Sequence, residues 1–113
     1  MAKDTVLLIT ADAVGRGDDE LGRILMRSFV KTLKESPELP GTMLFLNSGV
    51  LLTTQGSPLL DDLAALEQAG VDIFSCGTCL DYYKLRDELR IGSVGNMAQT
   101  VARLMSADHV VSP

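Results

Sequence analysis

The sequence predicts a three-layer α/β/α domain built on a mainly parallel sheet of about five strands, and three observations carry that expectation. The strand candidates are short and almost continuously apolar, as in residues 5–10, Thr-Val-Leu-Leu-Ile-Thr, which is how strands covered on both faces read. Stretches with helical spacing lie between them, and strand–helix alternation implies parallel pairing through right-handed crossovers. The 113 residues contain no internal repeat or linker and suit one domain spanning 1–113.

Residues 5–10 form the expected first strand. The loop that follows holds Gly15, Arg16, Gly17 and Asp18, after which Leu21, Ile24, Leu25, Ser28, Phe29 and Leu33 recur at helical spacing. Asp18 or Gly17 would cap this helix, and Pro37 lies beyond its end. Residues 42–46 are a second strand, ending in the turn Asn47-Ser48-Gly49, whose residue types tolerate left-handed backbone and close approach. Val50 to Thr53 has the composition of a further short strand. Ser57 followed by Pro58 reads as an N-cap and first helical residue, with Leu59, Leu60, Leu63 and Leu66 as the stripe and Gly70 at C′.

Residues 71–75 form a third strand ending at Cys76. Thr78 with Asp81 has the spacing of a capping box, as has Asn96 with Gln99. On that reading Cys79 is the first residue of a short helix, where an exposed thiolate gains about 0.3 to 1 kcal/mol from the backbone dipoles. Met97, Val101, Leu104 and Met105 give the last helix its stripe, and residues 109–112 a closing strand. The pattern assigns nothing between Arg90 and Gly95, and it does not give the strand order.

Composition narrows the function. With 46% apolar and 22% charged residues the chain can bury a core. Ten Lys and Arg against fifteen Asp and Glu leave a net charge of −5, which repels the phosphates that dominate nucleic-acid affinity and the anionic surface of a membrane. No apolar run approaches the roughly 20 residues of a membrane span, and Met1-Ala2-Lys3-Asp4 lacks the order of a signal peptide. A cytoplasmic protein with no nucleic-acid or membrane partner is the expectation.

Ligands of open α/β sheets bind beyond the carboxyl ends of the strands. Three glycine-bearing loops fall there: Gly15-Arg16-Gly17-Asp18, Asn47-Ser48-Gly49 and Cys76-Gly77-Thr78-Cys79. The first matches neither a dinucleotide fingerprint nor a P-loop. Arg16 could meet an anion there, although Asp18, Asp19 and Glu20 oppose a phosphate. Gly, Asn, Ser and Asp are also ordinary turn and cap residues, so plain turns are the favoured reading of the first two loops.

The third loop is the sharper signal, because a thiol at a strand-to-helix junction is favoured as thiolate, the nucleophilic form. Its rival reading is two small buried apolar residues. Two cysteines are too few for a disulfide framework. Zinc needs four ligands and the one other soft donor is His109, so no metal is expected. No cofactor is expected either. A thioredoxin would need a proline facing the pair, whereas Pro113 is the sole proline after Cys79; a serine hydrolase would need a nucleophile elbow, and there is none.

Residues 15–22 (Gly-Arg-Gly-Asp-Asp-Glu-Leu-Gly), Asn47-Ser48-Gly49-Val50 and residues 75–83 (Ser-Cys-Gly-Thr-Cys-Leu-Asp-Tyr-Tyr) together resemble the DsrE/DsrF-like family. Within it they look like the C-terminal DsrE-like domain of the YedF type, described as sulfurtransferase-like selenium metabolism proteins. The resemblance runs through Gly95-Asn96-Met97 to the last strand. It implies a cytosolic sulfur relay in which a cysteine after a strand accepts sulfane sulfur as a persulfide. Cys76 stands where DsrE and TusD relatives carry that cysteine, and Cys79 is the additional cysteine of the YedF-like group. Such proteins usually join this domain to a TusA-like one, so the implied partner is a sulfur-donor protein of TusA-like type. Relatives assemble, and Met26, Phe29, Val30 and Leu33 widen the apolar arc of the first helix, so a homo-oligomer, dimer or trimer, is expected.

A thiol-disulfide oxidoreductase or redox sensor using the same pair, and a non-catalytic module binding a small ligand or partner, remain the alternatives. In the sulfur-relay reading the catalytic residues are Cys76 and Cys79. Gly15, Arg16, Gly17, Asp18, Asn47, Ser48, Gly49, Gly77 and Thr78 are the candidate binding residues, with Cys76 facing the crevice as carrier and Cys79 resolving its persulfide.

Overall fold

The computed structural model describes residues 2–113. Five strands, β1 (Ala2–Ile9), β2 (Pro40–Phe45), β3 (Asp72–Cys76), β4 (Ser93–Gly95) and β5 (His109–Val111), form one sheet in the order β4-β3-β2-β1-β5. Every neighbouring pair is parallel. Four helices connect them: α1 (Asp19–Glu35), α2 (Leu60–Gln68), α3 (Gly77–Tyr82) and α4 (Met97–Ser106), with 3-10 turns at Asn47–Leu52 and Arg86–Glu88.

The chain steps β1, β2, β3, β4 in one direction and then returns past three strands to place β5 beside β1. Right-handed crossovers put helices of a one-way run on one face and the helix of the reversal on the other. The packing agrees. Leu7, Ile9, Met43, Phe45 and Ile73 meet Met26 and Val30 of α1 and Leu63 and Leu66 of α2 in the main core. On the opposite face the Arg103 guanidinium of α4 lies 4.3 Å from the centre of the Phe74 ring, a cation–π contact.

Several boundaries follow the sequence closely. Asp18 caps α1 by accepting the Leu21 N–H at 2.8 Å, and Asn96 caps α4 by accepting the Gln99 N–H at 2.8 Å. Gly70, at φ 104°, ends α2 with bonds from its own N–H to Glu67 O and from Val71 N–H to Leu66 O, the paired closure that a left-handed C′ residue permits.

Others differ. Helix α2 begins at Leu60, not at Pro58, because the Ser57 hydroxyl takes the Leu59 N–H and closes a turn ahead of the helix. Residues 50–53 are not a strand: the chain coils into the 3-10 turn, bonding Gly49 N–H to Leu46 O and Thr53 N–H to Val50 O. The unassigned stretch supplies β4, whose Gly95 pairs with Cys76.

The helical stripes are also displaced. Helix α1 turns Gly22, Met26 and Val30 inward and leaves Leu21, Ile24 and Leu25 exposed. Gly22 sets that rotation, since a Cβ there would sit 2.8 Å from the Ala13 Cβ. Only glycine lets the helix seat against its own entry loop. In α4 the buried residue is Thr100, its hydroxyl bonded to Asn96 O, while Met97, Val101 and Met105 face outward. No helix of the described residues is long and apolar enough to cross a membrane.

Candidate functional site

The carboxyl ends of β2 and β3 lie side by side, with Phe45 registered against Ser75. The two loops that leave them, one beginning at Asn47 and one at Cys76, therefore meet. Asn47 adopts the left-handed region at φ 50°, which asparagine tolerates better than other non-glycine residues. That turn aims its backbone N–H at the neighbouring loop, where it donates to Cys79 Sγ over 3.1 Å. The Asn47 side chain is held in turn, its Oδ1 accepting the Tyr83 hydroxyl at 3.0 Å.

Gly49 fixes the depth of the first loop. A Cβ there would lie 2.6 Å from the Ile9 carbonyl oxygen, so the turn can rest on the end of β1 only with glycine at this position. Ser48 ties in the loop after β1, its Oγ accepting the Asp12 N–H at 3.1 Å. Gly77 performs the same service in the second loop, since a Cβ would meet Arg86 Nη2 at 2.8 Å and Val94 Cγ1 at 3.1 Å. Arg86 then grips Asp81 through both carboxylate oxygens, at 2.7 and 3.0 Å. This pairing replaces the capping box expected from Thr78 and Asp81. The N-cap position of α3 is Cys76, without a side-chain cap, and Cys79 is the third helical residue and not the first.

The two cysteines occupy different surroundings. Cys76 completes β3 and is 6% exposed, whereas Cys79 is half-buried, and both are free thiols. Cys79 lines an open pocket of about 420 Å³ together with Asn47, Thr78, Tyr82 and Tyr83. Desolvation pushes the Cys79 thiol above its ordinary pKa; the Asn47 N–H pulls the other way, and interaction with the Cys76 thiol adds to the rise. The arrangement provides one accessible sulfur with a directed donor and a second sulfur behind it.

Of the candidate residues, Asn47, Thr78 and Cys79 share the pocket, with Gly49 and Gly77 shaping the loops that form it. Gly15, Arg16, Gly17 and Asp18 are not among its lining residues. Gly15 and Gly17 take left-handed backbone in an exposed turn, and Asp18 is committed to the α1 cap. Tyr82 and Tyr83, which the sequence reading left out of the site, form two of its walls, with rings 5.5 Å apart edge to face. Their spacing contained the signal, because residues three and four beyond Cys79 on a helix share its face. Among the described residues no group of three or more His, Cys, Asp or Glu is placed to hold a metal ion.

Solved structures share this architecture over nearly the whole chain. The ychN protein of E. coli superposes with a TM-score of 0.68 at 15% identity, covering 95% of this chain and 97% of that one. A protein of unknown function from Methanobacterium thermoautotrophicum gives 0.68 at 20% identity, with 96% and 97% covered. One from Bacteroides thetaiotaomicron gives 0.67 at 12% identity, with 99% and 97% covered. At such identities the likeness concerns the fold. No curated protein matches the sequence. The profile of the DsrE/DsrF-like family matches residues 39–113, a segment that contains both loops of the pocket and four of the five strands, and the chain therefore belongs to the DsrE/DsrF-like family.

Proposed function

We propose that this protein is a sulfur-relay component in which Cys76 and Cys79 are the sulfur-handling pair. The observation that carries the reading is the Asn47 N–H directed at Cys79 Sγ over 3.1 Å inside an open pocket. A main-chain donor fixed by a left-handed turn stabilises negative charge on sulfur, which is the form that attacks a sulfane sulfur and the form a persulfide takes once loaded. The family, generally associated with sulfur relay, supports the same reading. Resemblance of the Cys76-Gly77-Thr78-Cys79 loop to the YedF-like group makes a TusA-like protein the proposed donor, selenium metabolism the proposed setting and the cytoplasm the proposed compartment.

The test is mass spectrometry of the intact protein after incubation with a persulfide donor. One added sulfur per chain supports the relay reading, and an unchanged mass rejects it. A second reading rests on the interaction between the two thiols. A thiol-disulfide oxidoreductase or redox sensor would show the loss of two hydrogens in the wild type and no added sulfur in Cys76→Ser or Cys79→Ser, the variants in which a relay protein cannot discharge its persulfide into a disulfide.

A further inference from the structure

We propose that sulfur arrives first at Cys79, with Tyr83 acting through Asn47 as a positioning residue, and that Cys76 receives or resolves it afterwards. This rests on the sulfur-relay reading and reverses the order of the two cysteines that family resemblance implies. Three observations support it. Cys79 lines the pocket and Cys76 does not. The main-chain N–H of Asn47, from the neighbouring loop, points at Cys79 Sγ. Tyr83 OH holds Asn47 Oδ1 at 3.0 Å, so the tyrosine secures the turn that presents that donor. Cys76 is 6% exposed and stands outside the pocket lining.

The chemistry balances without an oxidant. Cys79 thiolate attacks the terminal sulfur of a donor persulfide R–S–SH, the donor's S–S bond breaks, and R–S⁻ departs as Cys79–S–SH forms. Cys76 thiolate can then take the terminal sulfur, regenerating Cys79 thiolate. Alternatively it attacks the inner sulfur, giving the Cys76–Cys79 disulfide and releasing HS⁻. In that branch the sulfane sulfur is reduced to sulfide and the thiol pair supplies the electrons.

Titratable groups about Cys79 are few. Cys76 interacts with it, and Tyr82 and Tyr83 share its pocket. Asp81 and Arg86 are paired to each other, and the 3-10 turn at Asn47–Leu52 brings no ionisable side chain. A change in the pH profile of Cys79 can therefore be traced to the donor network.

The experiment exposes the folded protein briefly to cysteine persulfide, blocks with iodoacetamide, and locates the added sulfur by fragmentation of the peptide containing both cysteines. Sulfur first on Cys79 in the wild type, kept in Cys76→Ser and lost in Cys79→Ser, is the expected result. Sulfur first on Cys76, or wild-type loading of Cys79→Ser, overturns the order while leaving the relay reading intact; no sulfur on the remaining cysteine of either Cys76→Ser or Cys79→Ser, in which no second thiol can resolve a persulfide, overturns both. For the positioning role, Tyr83→Phe should move the pH profile of Cys79 alkylation to higher pH. Its rate at neutral pH should fall about two- to tenfold, the worth of one hydrogen bond. An unshifted profile overturns the role of Tyr83, and mapping in the wild type needs no variant to fold.

Discussion

Thr53 Oγ1 and Ser75 Oγ lie 2.7 Å apart in the core directly behind the cysteine loop. Thr53 gives its single hydroxyl proton to Val50 O at 3.1 Å, so Ser75 must be the donor of the shared bond. Replacing Ser75 by alanine removes that donor and leaves Thr53 bonded, at an expected cost of about 1 kcal/mol. Thr53→Val strands the Ser75 hydroxyl in an apolar core and should cost more, roughly 1 to 3 kcal/mol. Urea midpoints of the two variants measure the order, and a smaller loss for Thr53→Val would contradict it.

Asn47 sits at φ 50°, where a Cβ-bearing residue without a local polar side chain is strained by about 1 to 2 kcal/mol. Asn47→Ala should therefore destabilise the protein, whereas Asn47→Gly should melt within a few degrees of the wild type. Because glycine keeps the backbone N–H but loses the bond from Tyr83, its Cys79 reactivity should resemble that of Tyr83→Phe.

Gly49→Ala would drive a methyl group into the Ile9 carbonyl oxygen, 2.6 Å from the ideal Cβ position. Neither backbone can yield without parting the turn from β1. A loss of about 2 kcal/mol is expected, in the range of overpacked cores, together with a slower Cys79 thiol as the Asn47 donor shifts. A variant of wild-type stability would show that the turn has slack.

The Arg86 guanidinium holds the Asp81 carboxyl below its ordinary pKa. A carboxylate depressed in the folded state adds stability above its unfolded pKa and loses it as pH falls through the folded value. The stability gap between wild type and Asp81→Asn should thus be present at neutral pH and close in acid, below the usual carboxylate range. A gap independent of pH would mean that the pair contributes through packing alone.

The outer face of α4 presents Met97, Val101 and Met105, the last 82% exposed. We propose that this face is covered in a homo-oligomer. Light scattering at micromolar concentration should give more than the monomer mass, and Val101→Lys should reduce it. A monomeric wild type would count against the proposal.

Strands β1, β2 and β3 were legible in the sequence because burial leaves a nearly unbroken apolar run, as at residues 5–10 and 42–46, whereas β4, with Ser93 and Val94 exposed, leaves none. Capping by Asp18 and Asn96 and the Gly70 stop were legible because they are local chemistry. Thr78 misled because a capping-box spacing is also local, yet Arg86 competes for Asp81 from outside the helix. The stripe of α1 misled for a similar reason: its apolar arc is broad, and a close contact between Gly22 and Ala13 selects which part turns inward. In the site, residue types named the loops, but no local pattern could show that Asn47 reaches Cys79 and not Cys76 across 32 residues. That depends on the register between β2 and β3.

The sheet order also imposes a schedule on biosynthesis. Strand β1 lies between β2 and β5, so a strand made of residues 2–9 waits for one made of residues 109–111. While residues 2–95 emerge from the ribosome, four strands and the α1–α2 layer can assemble, and the cysteine pocket with them. During that interval the face that α4 will cover, with Val6 and Leu44 on it, stays open to water along with one edge of β1. Residues 97–111, which carry α4 and β5, close both at once, so the open face and the free edge are lost only when this helix and strand have docked.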